Sequence, residues 1–218
     1  MATKSQASTN TDSVRQRLLE VAAKRFAESG FADISVRDIT AAADCNVAAV
    51  NYYFGSKDQL YLEVFRLRFA ELRERRVGAL KALMDRGDLS LEVVLRTFAN
   101  AFLEPLMEDG RGRLTMKLIM REMVDRYVPK EMIVEEMIRP TMNALLEALR
   151  KVCPDLKETH ACLCIHSLVA QLIHILQVQE LYDNGDEGVL AHHDIGDAVN
   201  HIVLFTAYGM RAYTDQSS

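Results

Sequence analysis

Long hydrophobic runs are missing from this sequence. Of its 218 residues, 49% are apolar and 26% are charged, which is an ordinary balance for a soluble globular protein. No stretch reaches the eighteen or so unbroken apolar residues of a membrane-spanning helix. The polar residues 1–12 do not have the pattern of a signal peptide. We therefore expect a cytoplasmic protein that does not bind a membrane.

The sequence has no Gly-rich phosphate loop, nucleophile elbow or His-Glu-x-x-His motif. Cysteine is scarce as well. The four cysteines, without a secretion signal, are expected to be reduced thiols. Two lie in the segment from His160 to His166, but on a helix His160 shares a face with Cys164 while Cys162 shares another face with His166. Four ligands cannot converge from two faces, so a core or interface role is favoured over zinc binding or thiol redox sensing. We predict no metal site and no cofactor.

Strand-type alternation is also absent, whereas helical periodicity runs through the chain. Glycine, proline and Asn/Asp breaks divide it into nine predicted helices, three in an N-terminal head and six in a larger body. The first helix is predicted from Ser13 to near Gly30, preceded by a disordered arm over residues 1–12. Pro140 is expected to kink a helix of the body. These patterns predict an all-α protein.

Three helix starts follow one another closely in the head. Ser35 with Asp38 forms a capping-box pattern, Asn46 is a favoured N-cap residue, and Ser56 with Gln59 repeats the box. Two short helices joined by a tight turn, with another helix just beyond, have the layout of a helix-turn-helix DNA reader.

The second helix of this motif, from about Asn46 to Phe54, suits the DNA major groove. Small side chains allow close approach, and Ala, Val and Asn side chains can contact base edges. Phe54 is assigned to the core because it lies four residues after Val50, whereas Tyr52 lies off that face. The alternative is that all the aromatic residues of this helix are core residues. The predicted outward positions are Val47, Ala48, Ala49, Asn51 and Tyr52.

Phosphate contacts are expected around this helix. Tyr52, Tyr53, Arg37 and Lys57 have side chains that suit phosphate oxygens. The helix starts at Ser35 and Ser56 add backbone N–H groups and favourable dipoles.

From Val14 to Tyr61 the chain resembles the TetR family of bacterial transcription regulators. The most specific part is Tyr52-Tyr-Phe-Gly-Ser-Lys-Asp-Gln-Leu60, and the run from Val47 to Lys57 looks closest to the CecR-like branch. The resemblance implies that Arg37 and Thr40 approach DNA, that residues 47–49 face bases, and that residues 51–53 and 57 contact the backbone. The predicted DNA-binding set is Ser35, Arg37, Thr40, Asn46, Val47, Ala48, Ala49, Asn51, Tyr52, Tyr53 and Lys57.

Two positions depart from the family pattern. Asp44 stands in the turn where the family usually has glycine, and Asp tolerates a left-handed conformation only moderately well. Asn51 stands where the family often has tyrosine, so a phosphate contact there becomes a base contact or is lost.

The net charge of −5 is unevenly distributed. Residues 1–76 contain 12 Lys and Arg against 10 Asp and Glu, whereas residues 77–218 contain 14 against 21. The head is only weakly basic, so two copies held at a fixed spacing would bind DNA far better than one. We predict a DNA-binding domain over residues 13–57 and a ligand-binding and dimerisation domain over residues 58–218.

The last two predicted helices have more apolar surface than one inward stripe needs. Such a surplus suggests a four-helix interface with a second copy, although burial within a thicker monomer is the alternative. The resemblance favours the dimer, since in the family the last two helices commonly build it. The predicted interface residues are Leu168, Leu172, Leu176, Val199, Ile202 and Val203.

Methionine is abundant in the middle of the body. Flexible thioethers fill irregular core gaps or line an adaptable pocket, and the resemblance implies an effector cavity. The predicted lining residues are Phe98, Phe102, Met120, Met123 and His166. The function implied is a dimeric repressor released from a palindromic operator by a small molecule. The alternative is an all-helical enzyme or partner-binding protein.

Overall fold

The computed structural model describes residues 3–108, 110–182 and 194–215, with side chains from residue 13 onward up to residue 178 and again over 194–215. Every regular element in these ranges is helical. The helices are α1 (Thr3–Ser29), α2 (Val36–Ala42), α3 (Ala48–Phe54), α4 (Lys57–Arg86), α5 (Leu91–Met107), α6 (Arg111–Asp125), α7 (Lys130–Ile133), α8 (Arg139–Val152), α9 (Glu158–Tyr182) and α10 (Ile195–Asp215).

The chain divides into two compact units. The first contains residues 1–71 and 108–136. Here α1 packs against α2 and α6, and Leu18, Ala22 and Phe26 are fully buried because a spacing of four residues keeps them on one face. The Tyr61 ring from α4 stands edge-on to Phe26, with centroids 4.9 Å apart. The head therefore shares its core with α6, which the sequence had assigned to the body.

The second unit contains residues 72–107 and 137–218. Helix α5 is its centre and packs against α8, α9 and α10. Val94, Leu95 and Phe98 of α5 are at most 2% exposed. Two polar contacts join α5 to α10, one from Arg96 to Asn200 and one from Arg211 to Glu92.

The structure differs from the prediction at the N-terminus. Helix α1 begins at Thr3 and continues through Ser13, so residues 3–12 are helical where a disordered arm was expected. Residues 1 and 2 lie outside the described ranges. A polar segment that continues the register of an amphipathic helix extends it at little cost, and the Ser13 capping pattern does not compete with that extension.

An irregular turn precedes Pro140. Residues 134–138 form a π-helical turn between α7 and α8, so that 130–152 is one continuous helical segment. Proline removes a backbone donor and clashes with the carbonyl four residues earlier. A π-turn accommodates that loss, so the expected kink takes this form. With this segment counted once, the described part of the chain has the nine helices that were predicted.

Helix α9 is unusually apolar. Its stretch Glu158–Val178 is long and apolar enough to span a membrane by length and composition alone, and 28% of it is buried in the single chain. The stretch is interrupted by polar residues such as His166, Gln171 and His174. Its buried residues include Ile165, Leu168 and Leu172 of the second unit.

Candidate nucleic-acid interface

The start of α2 is held by a complete capping box. The Ser35 hydroxyl oxygen accepts a hydrogen bond from the Asp38 N–H (3.2 Å), and the Asp38 carboxylate accepts bonds from the Ser35 N–H (2.9 Å) and hydroxyl (2.6 Å). These bonds from Ser35 lower the pKa of Asp38. Because Ser35 donates both bonds to a neighbouring carboxylate, its side chain positions α2. The phosphate contact predicted for this helix start, which depends on the backbone N–H groups of α2, stays a prediction.

The turn between α2 and α3 is a Schellman motif with Asp44 in the left-handed position. Asp44 has φ of 48°. The Cys45 N–H donates to the Thr40 carbonyl oxygen (3.0 Å), and the Asp44 N–H donates to the Ala41 carbonyl oxygen (3.3 Å). Both bonds satisfy carbonyl groups left free at the end of α2. An aspartate therefore takes the conformation for which the family uses glycine.

Arg17 of α1 stabilises this turn through hydrogen bonds to its carbonyl oxygens. Its Nε donates to the Ala43 carbonyl oxygen (2.7 Å), and its Nη2 lies 3.4 Å from the Asp44 carbonyl oxygen. A cation at the carboxyl end of α2 also complements the helix dipole. No local sequence signal predicts this role, because Arg17 lies 26 residues before Ala43 and looks like any exposed residue of an amphipathic helix.

Helix α3 presents the expected face. Val50 is fully buried and Phe54 is 8% exposed, whereas Val47 is 43% and Tyr52 is 78% exposed. Ala48 and Asn51 are exposed as well. The predicted distinction between Phe54 and Tyr52 is thus confirmed.

The amino end of α3 is capped by Asn46. Its side-chain oxygen accepts a hydrogen bond from the Ala48 N–H (2.9 Å), and its carbonyl oxygen accepts one from the Ala49 N–H (2.8 Å). Val47 is the residue that immediately precedes the helix, but no side-chain cap comes from it. Ala49 and Tyr53 are half-buried and flank the exposed face.

Thr40 and Lys57 are placed differently from the implied DNA contacts. Thr40 is 1% exposed, and its hydroxyl donates to the carbonyl oxygens of Val36 and Arg37 (2.9 and 3.2 Å). It is a core residue of α2, because its position shares the inward face with Ile39. The Lys57 ammonium lies 4.3 Å from the centre of the Phe31 ring, a cation–π contact that must be exchanged before Lys57 can reach a phosphate.

The predicted dimer residues lie inside the monomer. All six, in α9 and α10, are at most 6% exposed, because their spacing of three or four residues places them on the faces where α9, α10 and α5 pack together. Side chains buried within one chain offer little surface to a second chain, so a direct role of these six residues in an interface stays a prediction. Among the side chains that the structure describes on these two helices, the large exposed apolar ones are Leu163, Leu204, Phe205 and Tyr208.

The predicted effector residues are divided between the two units. Phe98 and Phe102 are buried, with ring centroids 5.9 Å apart. His166 of the same unit is exposed. Met120 and Met123 belong to the first unit, and Met123 is 56% exposed. Phe98 and Phe102 thus lie in the core of the second unit and His166 on its surface, and the effector cavity stays a prediction.

In the His160–His166 segment of α9, Ala161 and Ile165 are buried, and the remaining side chains are half-buried or exposed. His160 stacks on Tyr213 with ring centroids 4.1 Å apart. Burial raises the pKa of the Cys164 thiol, which keeps it protonated and poorly suited to bind a metal. Among the described residues, no three His, Cys, Asp or Glu side chains gather as a metal site would require.

These features define a class of protein, a helix-turn-helix DNA-binding module attached to further helices. A family model described as "Bacterial regulatory proteins, tetR family" matches residues 18–64. A second, described as "Tetracyclin repressor-like, C-terminal domain", matches residues 96–209. The chain belongs to the TetR family of transcription regulators.

Individual relatives agree with this membership. The chain is 30% identical over 175 residues to the HTH-type transcriptional dual regulator CecR of Shigella flexneri, across 74% of this chain and 75% of that one. It is 29% identical over 147 residues to the regulator AcrR of the same organism, across 66% and 62%. A TetR family regulator from Marinobacter aquaeolei VT8 has the same fold, with a TM-score of 0.68, 18% identity and coverage of 92% and 97%.

Two functions were considered from the sequence, a transcription regulator and an all-helical enzyme or partner-binding protein. The family and the relatives are DNA-binding transcription regulators, so the enzyme alternative is set aside. The expected resemblance to the CecR-like branch is supported at 30% identity.

Proposed function

We propose that this protein is a cytoplasmic, dimeric repressor that binds a palindromic operator and leaves it when a small-molecule effector binds. The exposed face of α3 is the observation that carries the DNA-binding part. A short helix with small or amide side chains outward and its two large apolar residues inward can lie against base edges. Dimerisation and release from DNA on effector binding are typical of the family, and we propose both for this chain.

The proposed DNA contacts are a reduced form of the predicted set. Arg37, Val47, Ala48, Asn51 and Tyr52 are exposed and can contact DNA directly. Ala49 and Tyr53 lie at the edge of this surface, and Lys57 joins them if it leaves Phe31. Asn46 caps the recognition helix, while Ser35 and Thr40 support α2.

The proposed dimer surface is the outer face of α10 with the neighbouring part of α9. Leu204, Phe205 and Tyr208 are 47%, 62% and 67% exposed, and Leu163 of α9 is 57% exposed. Large apolar side chains concentrated on two adjacent helices favour association with a second copy. In a two-fold dimer the same patch serves both chains.

Helix α4 is the proposed path from effector to DNA. It runs without interruption from Lys57 to Arg86 and contributes residues 57–71 to the first unit and 72–86 to the second. A ligand that binds one conformation of the second unit more tightly can shift a two-state equilibrium. A continuous helix passes such a shift to the unit that contains α3.

The test is an equilibrium titration of the purified protein against a labelled DNA fragment from directly upstream of its gene. We expect saturable binding that unlabelled fragment competes away and a scrambled fragment of equal length does not. Deletion of one half of the palindrome should weaken binding sharply, because two heads act together. Equal affinity for the scrambled fragment would contradict the proposal.

The sign of regulation needs its own measurement. The relative CecR is named a dual regulator, so the repression that we propose for this chain is tested separately with a promoter fusion. Deletion of the gene should raise expression from the bound promoter, and a fall would show activation.

A further inference from the structure

We propose that the effector is a monoanion with an apolar body, a carboxylate, and that Arg76 binds its charged group. This inference rests on the proposed function for the existence of an effector and adds the chemical class and the residue that recognises it.

Arg76 is a buried cation that has no carboxylate partner in the described part of the chain. It lies in the part of α4 that belongs to the second unit and is 5% exposed. Its guanidinium carbon is 4.0 Å from the centre of the Phe102 ring, and its Nε has no hydrogen-bond partner. Within the described ranges, no Asp or Glu forms a salt bridge with it, and burial is the one cause of its shifted pKa.

Arg68 is a comparable buried arginine that, unlike Arg76, has a carboxylate partner. Both arginines lie on α4, both are at most 5% exposed, and both have an unpartnered Nε. Arg68, however, donates from Nη1 to the Glu71 carboxylate at 3.1 Å. A buried charge is strongly unfavourable unless it is paired, so the difference at Arg76 needs a reason.

Arg76 does not become neutral by losing its proton at physiological pH. Burial lowers the pKa of Arg76 to about 10, which still leaves the guanidinium charged at neutral pH. The pKa is lower in the folded chain than in the unfolded one, so the unfavourable term is present below pH 10 and fades only as the pH rises above that value. A ligand that carries a negative charge would remove the penalty at physiological pH.

The surroundings indicate the rest of the ligand. Leu72 and Leu80 lie four residues on either side of Arg76 on the same helix face and are buried, as are Phe98 and Phe102. A planar guanidinium can hold a carboxylate with two parallel hydrogen bonds. One cation among apolar side chains balances one negative charge, which favours a carboxylate over a phosphate dianion. The apolar neighbours favour a hydrocarbon body.

The experiment measures thermal unfolding with straight-chain carboxylates from acetate to dodecanoate and with the matching neutral amides. Arg76→Met removes the charge at similar volume, and Arg76→Lys retains the charge without the planar fork. Arg86→Met, at the exposed end of the same helix, is the matched control. The apparent Kd of each carboxylate is measured by calorimetry.

We expect the longer carboxylates to raise the Tm of the wild type and of Arg86→Met by roughly 5–10 °C at saturating concentration, and the amides to have little effect. Arg76→Met should lose the carboxylate response and, without ligand, melt no lower than the wild type, because an unpaired charge has been removed. Arg76→Lys should bind the carboxylates roughly ten- to hundredfold more weakly. If Arg76→Met does not fold, the difference in carboxylate Kd between the wild type and Arg76→Lys still tests the inference.

Three results would overturn the inference. One is a response to amides equal to that of the carboxylates. Another is a panel in which no carboxylate distinguishes the wild type from the Arg76 variants. The third is an Arg76→Met variant that folds but melts well below the wild type without ligand. A parallel operator titration separates the two proposals, since DNA binding without an Arg76-dependent response defeats only this inference, and no DNA binding defeats the proposed function.

Discussion

Asn51 and Lys57 are residues of the recognition helix region whose roles differ in kind. Asn51 is exposed on α3 and can form paired hydrogen bonds with a base edge. Lys57 can neutralise a phosphate once it leaves the Phe31 ring. A base contact affects one sequence, whereas a phosphate contact affects all sequences.

Substitution separates these roles. Asn51→Ala should reduce the preference for operator over scrambled DNA by about 1–3 kcal/mol. Lys57→Ala should weaken binding to both and lower the slope of log K against log salt by about 1. Anisotropy titrations at several salt concentrations measure both quantities. An unchanged slope would show that Lys57 stays on Phe31 in the complex.

Asp44 has a conformation that a residue with a Cβ adopts at a cost. Its φ of 48° suits glycine best, so Asp44→Gly should raise the free energy of unfolding by up to about 1 kcal/mol, after the entropy that glycine adds to the unfolded chain is counted. Asp44→Val should lower it by about 1–2 kcal/mol. Urea unfolding measures both. Asp88→Gly, at an exposed position without a positive φ, should bring no gain, and an equal gain there would contradict the explanation.

At the scale of elements, α4 and α6 are joined by a buried polar network. The Tyr61 hydroxyl donates to one oxygen of the Glu122 carboxylate (2.8 Å), and the Val128 N–H donates to the other (2.6 Å). Glu122 is 5% exposed. Burial raises the pKa of Tyr61 well above its usual value, and the bond to Glu122 adds to the effect, so the hydroxyl keeps its proton and remains a donor.

Removal of this donor should destabilise the first unit. Tyr61→Phe leaves a buried carboxylate oxygen without its partner, and the free energy of unfolding should fall by about 1.5–3 kcal/mol. Tyr127→Phe is the control, because that ring is near Tyr61 but 45% exposed and should change stability by less than about 0.5 kcal/mol. Equal stability of the two variants in urea would show that Glu122 does not need the Tyr61 hydroxyl.

At the scale of the whole molecule, the proposed dimer surface on the outer face of α10 can be tested through the oligomeric state. Phe205→Asp places a charge twice in a symmetric interface, and the dimer Kd should rise more than a hundredfold, from a cost of at least about 3 kcal/mol. Operator affinity should fall with it, since two linked heads are replaced by one. Sedimentation velocity gives the mass.

Val124→Asp is the control for this variant. Val124 is 79% exposed and lies in the first unit, so an aspartate there should leave the dimer intact. A wild-type protein that sediments as a monomer, or a Phe205→Asp variant that remains a dimer, would contradict the proposed surface.

The sequence by itself determined the helices, the motif and the inward face of α3. These are local properties, because caps such as Ser35 and Asn46 act within three residues and the pair Val50 and Phe54 follows from helical spacing. For the same reason the family resemblance, which depends on one contiguous segment, led to the membership that the comparisons show.

Only the tertiary structure decided which apolar stripe of α9 and α10 is core and which is surface. Leu168 and Phe205 have similar hydrophobicity, and only packing against α5 shows that the first is buried and the second exposed. The bonds from Arg17 to the turn and the contact of Arg76 with the Phe102 ring also depend on residues far apart in sequence. Periodicity defines the faces of a helix, but the neighbouring helices determine which of those faces is buried.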